Sequence, residues 1–185
     1  MMDSYFLSDY YRMAGEKWHY RGRNFVKFLL SHQIRYMYWW RKANKKMTLF
    51  GRFILYRYSR KYGLEIASSA EIGEGLYLGH PYNITVGGGV KIGNNVNLHK
   101  GCTIGRENRG KRMGVPIIGN RVAIGINATV IGNITIGDDV MIAPNSFVNF
   151  NVPSHSIVIG NPGIIHHKEN ATAEYIGYCI GEDRY

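Results

Sequence analysis

The chain of 185 residues lacks several features that would indicate whole classes of protein. Its two cysteines, Cys102 and Cys179, are too few for a disulfide framework and lack the spacing of metal ligands. No apolar run approaches the roughly 18 residues of a membrane span, and no secretion signal begins the sequence. The pair His166 and His167 has no further ligands at useful spacing. These absences predict a cytosolic protein without a metal site.

Charge and aromatic residues are concentrated at one end of the chain. Residues 1–62 hold 14 Lys and Arg against 3 Asp and Glu, whereas the remainder is almost neutral. Of the 24 aromatic residues 17 precede residue 63, and 18 of the 23 glycines lie in residues 63–163. We therefore predict a basic, aromatic segment over 1–62, a main domain over 63–163 and a short tail over 164–185.

A period of six residues runs through the main domain. Aliphatic residues occupy thirteen positions of this period, in three groups: Ile66, Ile72, Leu78 and Ile84; Ile92, Leu98 and Ile104; Ile118, Ile124, Val130, Ile136, Ile142 and Val148. Glycine often follows the aliphatic residue, and a small or aliphatic residue often stands four positions after it. The period predicts an all-β solenoid in which three six-residue units make one triangular coil, hence about four coils.

Two interruptions of the period predict loops on one side of the solenoid. The first surrounds residues 80–89, and the second covers residues 106–115, which are basic and polar. The first 62 residues contain no proline and have helical spacing of apolar residues, so we predict helices over 5–18, about 23–43 and about 47–62.

The repeat resembles that of the hexapeptide-repeat acyltransferases, and its serine acetyltransferase-like branch is the most similar. The resemblance rests on the hexapeptide columns, on Gly79-His80, on the segment 118–125 and on the closing Gly160-Asn161-Pro162-Gly163. It implies a left-handed parallel β-helix, a homotrimer with active sites between subunits, and acetyl-coenzyme A as the acetyl donor.

The resemblance also implies the catalytic residues. His80 takes the place of the general base, and Glu65, 15 positions earlier, takes the place of the acidic residue that orients it. A positioned imidazole can remove the proton of a hydroxyl as that hydroxyl attacks a thioester. A backbone N–H near Gly105 would stabilise the oxyanion.

Other positions are candidates for binding. Gly125, Ile126 and Pro144 match positions that contact coenzyme A in the family, although Ile126 and Pro144 would serve equally as stacking residues. In the basic loop, Arg112 could contact the coenzyme A phosphates and Arg106, Arg109 and Lys111 an anionic acceptor, or the loop could be solvated. His99 follows an inward leucine and is a candidate for the acceptor cleft.

Three positions bear on the acceptor. Gly79, Gly114 and Val115 stand where serine acetyltransferases have an Asp and an Arg-His pair that contact the amino acid. Together with the short N-terminal segment, this difference favours a sugar hydroxyl in capsule or exopolysaccharide synthesis as the acceptor. Serine O-acetylation of cysteine biosynthesis is the alternative, and a non-catalytic scaffold is a third interpretation.

The N-terminal segment has two interpretations that the sequence leaves open. Its helices could cap the open end of the solenoid, or a basic amphipathic surface could bind an anionic membrane on the cytosolic side. The residues that suggest the membrane are Trp39, Trp40, Arg41, Lys42, Lys45 and Lys46. No nucleic-acid-binding motif accompanies the basic residues, so we expect no nucleic-acid partner.

Overall fold

The computed structural model describes residues 3–19 and 22–181 of the chain. Short strands from residue 65 onward wind into a left-handed parallel β-helix of five coils with three sheets. Sheet A has the order β1-β4-β7-β10-β13, sheet B β11-β8-β5-β2 and sheet C β15-β14-β12-β9-β6-β3. The strands are β1 Glu65–Ile66, β2 Glu71–Ile72, β3 Tyr77–Gly79, β4 Thr85–Val86, β5 Lys91–Ile92, β6 Asn97–His99, β7 Thr103–Gly105, β8 Ile117–Ile118, β9 Val122–Ile124, β10 Thr129–Ile131, β11 Thr135–Ile136, β12 Val140–Ile142, β13 Phe147–Val148, β14 Ser156–Ile159 and β15 Ile164–His167.

The aliphatic column of the sequence forms the core, with one correction. In sheet A it is Val86, and not the predicted Ile84, that lies in register with Ile104 and Val130 on neighbouring parallel strands, and all three are fully buried. The predicted fold class is confirmed. The coils number five and not about four, because the column continues through the buried Val152 and Val158.

Two of the three corners of the triangle matter for function. We call the turns that lead from sheet C to sheet A the CA corner, and those that lead from sheet A to sheet B the AB corner. The CA corner repeats a left-handed residue in successive coils, namely Asn83, Gly101, Asn127 and Asn145, with φ of 55°, 74°, 56° and 59°. Asparagine and glycine tolerate this conformation best, which explains their recurrence there.

Four helices precede the β-helix: α1 Ser4–Ala14, α2 Arg23–Leu30, α3 His32–Lys45 and α4 Leu49–Tyr62. The single helix predicted for about 23–43 is divided at Ser31, whose backbone is extended. The Ser31 hydroxyl accepts a hydrogen bond from the N–H of Ile34 and so caps α3. Ser31 thus ends α2 and begins α3.

The helices cover the open end of the first coil. The Trp40 indole donates to the carbonyl of Ile66 at 3.0 Å, and the Arg41 guanidinium donates to the carbonyls of Ile72 and Gly73, both at 2.7 Å. The first coil has no coil below it, so its carbonyls depend on such donors.

A buried ion pair joins two of the helices. Arg41 contacts Asp9 at 2.8 and 2.9 Å, and both side chains are almost completely buried. Burial raises the pKa of Asp9 to about 6, against the opposing effect of Arg41. Because Trp40 and Arg41 are buried, the expectation that these two residues face a membrane is wrong.

The end of the chain turns back along sheet C. Strand β15 pairs antiparallel with β14, and residues 175–180 then cross the outer face of sheet C. The Asn97 amide donates to the carbonyl of Tyr175 at 2.9 Å, and Ile176 packs on Ala123 and Met141. Among the described residues no helix is long and apolar enough to cross a bilayer.

Candidate active site

The CA corner holds His80 in an unusual backbone conformation. His80 directly follows β3, its φ is 49°, and its side chain is exposed. A left-handed residue other than glycine is uncommon, and such residues are enriched at functional sites. The corner therefore presents an imidazole to solvent from a fixed backbone.

A second imidazole lies one coil further along. His99 ends β6, directly in register with Gly79 of β3, and is partly buried. Burial lowers the pKa of His99, and the nearby His80 lowers it further. The lowered pKa favours the neutral imidazole of His99.

The coenzyme A candidates Gly125, Ile126 and Pro144 continue along the same corner. Successive coils are joined there by backbone hydrogen bonds, from Asn127 N to Lys100 O at 3.0 Å and from Asn145 N to Ile126 O at 2.9 Å. Ile126 is 41% exposed although it is an isoleucine in a regular turn. With about 4.8 Å between coils, the corner from His80 to Pro144 is roughly 15 Å long.

Glu65 lies on the outer face of sheet A, in register with Thr85 of β4. Its carboxylate accepts a hydrogen bond of 2.8 Å from the hydroxyl of Ser59 in α4. Among the described residues no hydrogen bond or ion pair joins Glu65 to His80. Its orienting role stays a prediction.

Ser59 is a residue that sequence reasoning missed. It lies beside a cleft of about 490 Å³ between α4 and the first two coils of sheet A, which also contains Glu65 and Gly87. Nothing in the repeat signals this contact, because Ser59 belongs to a helix outside the repeat.

The basic loop lies at the AB corner. Glu107 and Gly114 form a two-hydrogen-bond bridge at 2.9 and 3.0 Å, and a 3₁₀ turn over Gly110–Arg112 closes the loop. Arg112 donates to the side chain of Asn149 at 3.0 Å. A cleft of about 720 Å³ between the loop and the fourth and fifth coils is lined by Arg109, Lys111 and Arg112 among others.

The loop and His80 occupy different corners of the same chain. Gly105 ends β7 on the AB side of sheet A, and Arg106 follows it. One chain thus brings together His80, His99, Gly125, Ile126 and Pro144 on its CA corner, and places Gly105 and the basic residues on its AB corner.

The remaining chemical candidates have structural explanations. Cys102 is completely buried, and burial raises the pKa of its thiol to about 12, so it packs in the core and is not a nucleophile. Over residues 3–19 and 22–181, no group of three or more His, Cys, Asp and Glu residues could hold a metal ion.

The chain is similar to known transferases in family, sequence and fold. Residues 116–149 match the family of bacterial transferase hexapeptide repeats. The chain is 36% identical over 134 residues to serine acetyltransferase 2 of Arabidopsis thaliana; the aligned region covers 72% of this chain and 40% of that protein. It is 44% identical over 105 residues to the serine acetyltransferase of Staphylococcus xylosus; here the aligned region covers 56% of this chain and 48% of that protein. The chain thus spans about half the length of these curated relatives.

A solved structure extends the similarity into the helices. The fold matches serine acetyltransferase of Neisseria gonorrhoeae in complex with serine, with a TM-score of 0.72 and 27% identity. The match covers 87% of this chain and 67% of the other, more than the β-helix alone.

These comparisons correct the expected acceptor. The relatives in sequence and in fold are named serine acetyltransferases, so the assignment to capsule or exopolysaccharide synthesis is wrong and the alternative is favoured. Gly79, Gly114 and Val115 do not by themselves exclude an amino-acid acceptor. A Cβ at Gly114 would come within 2.9 Å of Asn133, and Gly79 faces the ring of His99, so both glycines are in close contact with a neighbouring coil.

Proposed function

We propose that this chain, which belongs to the hexapeptide-repeat transferase family, is an acetyl-coenzyme A-dependent serine O-acetyltransferase. The observation that carries the proposal is the exposed His80, held left-handed at the start of a corner that continues past His99 to Ile126 and Pro144. The similarity to serine acetyltransferases, including one in complex with serine, supports serine as the acceptor.

His80 acts as the general base in this proposal. It takes the proton of the serine hydroxyl as the oxygen attacks the thioester carbonyl, and the carbon–sulfur bond breaks after the carbon–oxygen bond forms. The proton passes to the departing coenzyme A thiolate, so the products are O-acetylserine and free thiol. Such base catalysis contributes about 10²- to 10⁴-fold to the rate.

Acetyl-coenzyme A would lie along the CA corner. A Cβ at Gly125 would lie 2.7 Å from backbone atoms of Ile142 and Pro144, so glycine lets the two coils pack closely there. Ile126 and Pro144 offer exposed apolar contacts to the pantetheine chain. Arg112 is suited to a phosphate of the same molecule because a guanidinium binds phosphate oxygens with two parallel hydrogen bonds.

A homotrimer would complete the site. The CA and AB corners are the two edges of sheet A, so three chains with sheet A toward a threefold axis would place the CA corner of each beside the AB corner of the next. The outward residues at the middle of sheet A are small, with Thr85, Thr103 and Thr129 in register. Gly105 and the basic loop would then serve the His80 of the neighbouring subunit.

The direct test is release of free thiol from acetyl-coenzyme A by the purified chain with L-serine. We expect turnover with L-serine well above hydrolysis without acceptor, and O-acetylserine as the product by mass spectrometry. Thiol release that serine does not stimulate would reject serine as the acceptor. Loss of the trimer on dilution, seen by analytical ultracentrifugation, should abolish turnover because each site needs two subunits.

A cytosolic location with peripheral membrane contact stays a prediction. Residues 17–64 hold thirteen Lys and Arg and no acidic residue, and α4 exposes Leu49, Phe50 and Phe53. Cations near an anionic surface contribute about 1 kcal/mol each. Co-sedimentation with phosphatidylglycerol vesicles should therefore exceed that with neutral vesicles and fall in the variant Leu49→Ser/Phe53→Ser; equal sedimentation in all cases would refute membrane contact.

A further inference from the structure

Gly79 and His99 face each other across two parallel strands. Tyr77–Gly79 pairs with Asn97–His99, with Gly79 directly opposite His99. Leu78 and Leu98 point inward, so positions 79 and 99 both point outward at the CA corner. Side chains at two such positions share one space.

The ring of His99 occupies the space of a side chain at position 79. A Cβ on Gly79 would lie 2.7 Å from Cε1 of His99 and closer still to Nδ1. Gly79 is not in the left-handed region, so position 79 requires glycine because of the space available and not because of its backbone conformation. The imidazole therefore lies over the backbone of the residue that precedes the base His80.

One polar atom of this ring is open to a ligand. Nδ1 lies against Gly79, so Nε2 is the nitrogen that a ligand can reach. Among the described residues neither ring nitrogen of His99 has a hydrogen bond, and its aromatic neighbour is Tyr77, with ring centroids 6.2 Å apart. The ring is partly exposed and close to His80. A neutral imidazole can accept one hydrogen bond and donate another.

Serine brings two charged groups beside its hydroxyl. In the proposed trimer the basic loop of the neighbouring subunit would supply cations for the carboxylate, whereas an ammonium group needs an acceptor that carries no positive charge. His99 offers such an acceptor nitrogen within the CA corner itself.

We propose that His99 positions the acceptor by accepting a hydrogen bond from the ammonium group of serine, and that position 79 is glycine so that this ring can lie beside His80. The inference rests on the proposed serine O-acetyltransferase activity. It makes His99 and Gly79 one specificity element, in which His99 touches the substrate and Gly79 acts through His99.

The first test compares two substitutions of His99. His99→Leu keeps an apolar side chain of similar bulk without hydrogen bonds, and we expect its KM for serine to rise about tenfold to one hundredfold while the KM for acetyl-coenzyme A stays constant. His99→Gln keeps an amide oxygen as acceptor and should restore most of the affinity. His166→Ala, in a strand about 19 Å away along sheet C, is the matched control.

A second acceptor isolates the ammonium group. With 3-hydroxypropionate, which is serine without its amino group, the wild type and His99→Leu should have equal kcat/KM. An equal loss with both acceptors would show that His99 supports the site without contacting the ammonium group, and would overturn the inference.

The role of Gly79 is tested by a double-mutant cycle. Gly79→Ala should displace the ring and raise the KM for serine about as much as His99→Leu does, and the double variant should be no worse than either single one. Fully additive effects would overturn the link between the two residues. A wild type that does not acetylate serine would reject the proposed function, whereas an active wild type with an unchanged KM for serine in His99→Leu would reject only this inference.

Discussion

The two edges of sheet A differ in how they treat the six-residue repeat. The CA corner departs from it only in its first turn, where His80 lies in a turn two residues longer than the next one, because Leu78 and Val86 are eight positions apart and Leu98 and Ile104 are six. Its later turns are regular, with a left-handed asparagine or glycine in each coil. The AB corner departs from it much further, since residues 106–115 are inserted between β7 and β8. The short insertion presents the base from a regular stack, and the long insertion adds charge without disturbing that stack.

Loss of the base should give the largest effect. His80→Ala should lower kcat about 10²- to 10⁴-fold, because the imidazole acts in the transition state, and should leave acetyl-coenzyme A affinity unchanged. Assays of thiol release measure kcat, and calorimetry measures the affinity for acetyl-coenzyme A. Unaltered turnover would show that His80 is not the general base and that the CA corner does not carry the chemistry.

Mixed trimers test whether the two corners meet across subunits. Subunits with His80→Ala and subunits with Arg109→Gln/Lys111→Gln/Arg112→Gln should each be poorly active alone when serine is held well below its KM. Co-refolded in equal amounts, they should recover about one quarter of the wild-type sites, because a mixed cyclic trimer contains one site with both intact parts. Activity equal to the mean of the two parents would show that each site lies within one subunit.

Neutralising the loop should have a more moderate effect. Arg109→Gln/Lys111→Gln should raise the KM for serine about tenfold and reduce its dependence on salt, because exposed charges act through screened attraction. Lys168→Gln removes an exposed cation from the tail and should change neither quantity. If the loop variant keeps the salt dependence of the wild type, the loop is only a solvated turn.

Two glycines allow the two corners to be compared by their effect on the free energy of unfolding. Gly101 at the CA corner and Gly110 in the loop are both left-handed, with φ of 74° and 66°. A Cβ at Gly101 would run into the side chain of Asn127, whereas nothing lies within 4 Å of a Cβ at Gly110. Gly110→Ala should cost about 1 kcal/mol of unfolding free energy and Gly101→Ala about 2 kcal/mol or more, by urea denaturation. Equal costs would mean that the stack tolerates distortion as readily as the loop does.

The β-helix could be predicted from the sequence because the pattern that produces it is local and repeated. An inward aliphatic residue every six positions strongly restricts the backbone conformation, and the position of His80 at a break in that pattern could be found in the same way. The break at Ser31 and the contact of Ser59 with Glu65 could not, because they depend on how helices outside the repeat pack.

The acceptor could not be predicted from single positions, for a physical reason. The side-chain space at Gly79 is filled by His99, twenty positions later and one coil away. A single position of a repeat protein is fully described only together with its neighbours in adjacent coils. The tail over sheet C was likewise hidden, because Asn97 and Tyr175 meet only in the folded chain.

The contacts of Trp40 and Arg41 with the carbonyls of the first coil have a consequence for solubility. A parallel solenoid ends in an open polar edge, and such an edge can pair with another molecule and grow into a fibre. Here Trp40 and Arg41 occupy part of the lower edge, and β15 closes the upper edge of sheet C by running antiparallel to β14. The two ends of the β-helix are thus covered in different ways. Both covers oppose the addition of another molecule to the repeating stack of strands.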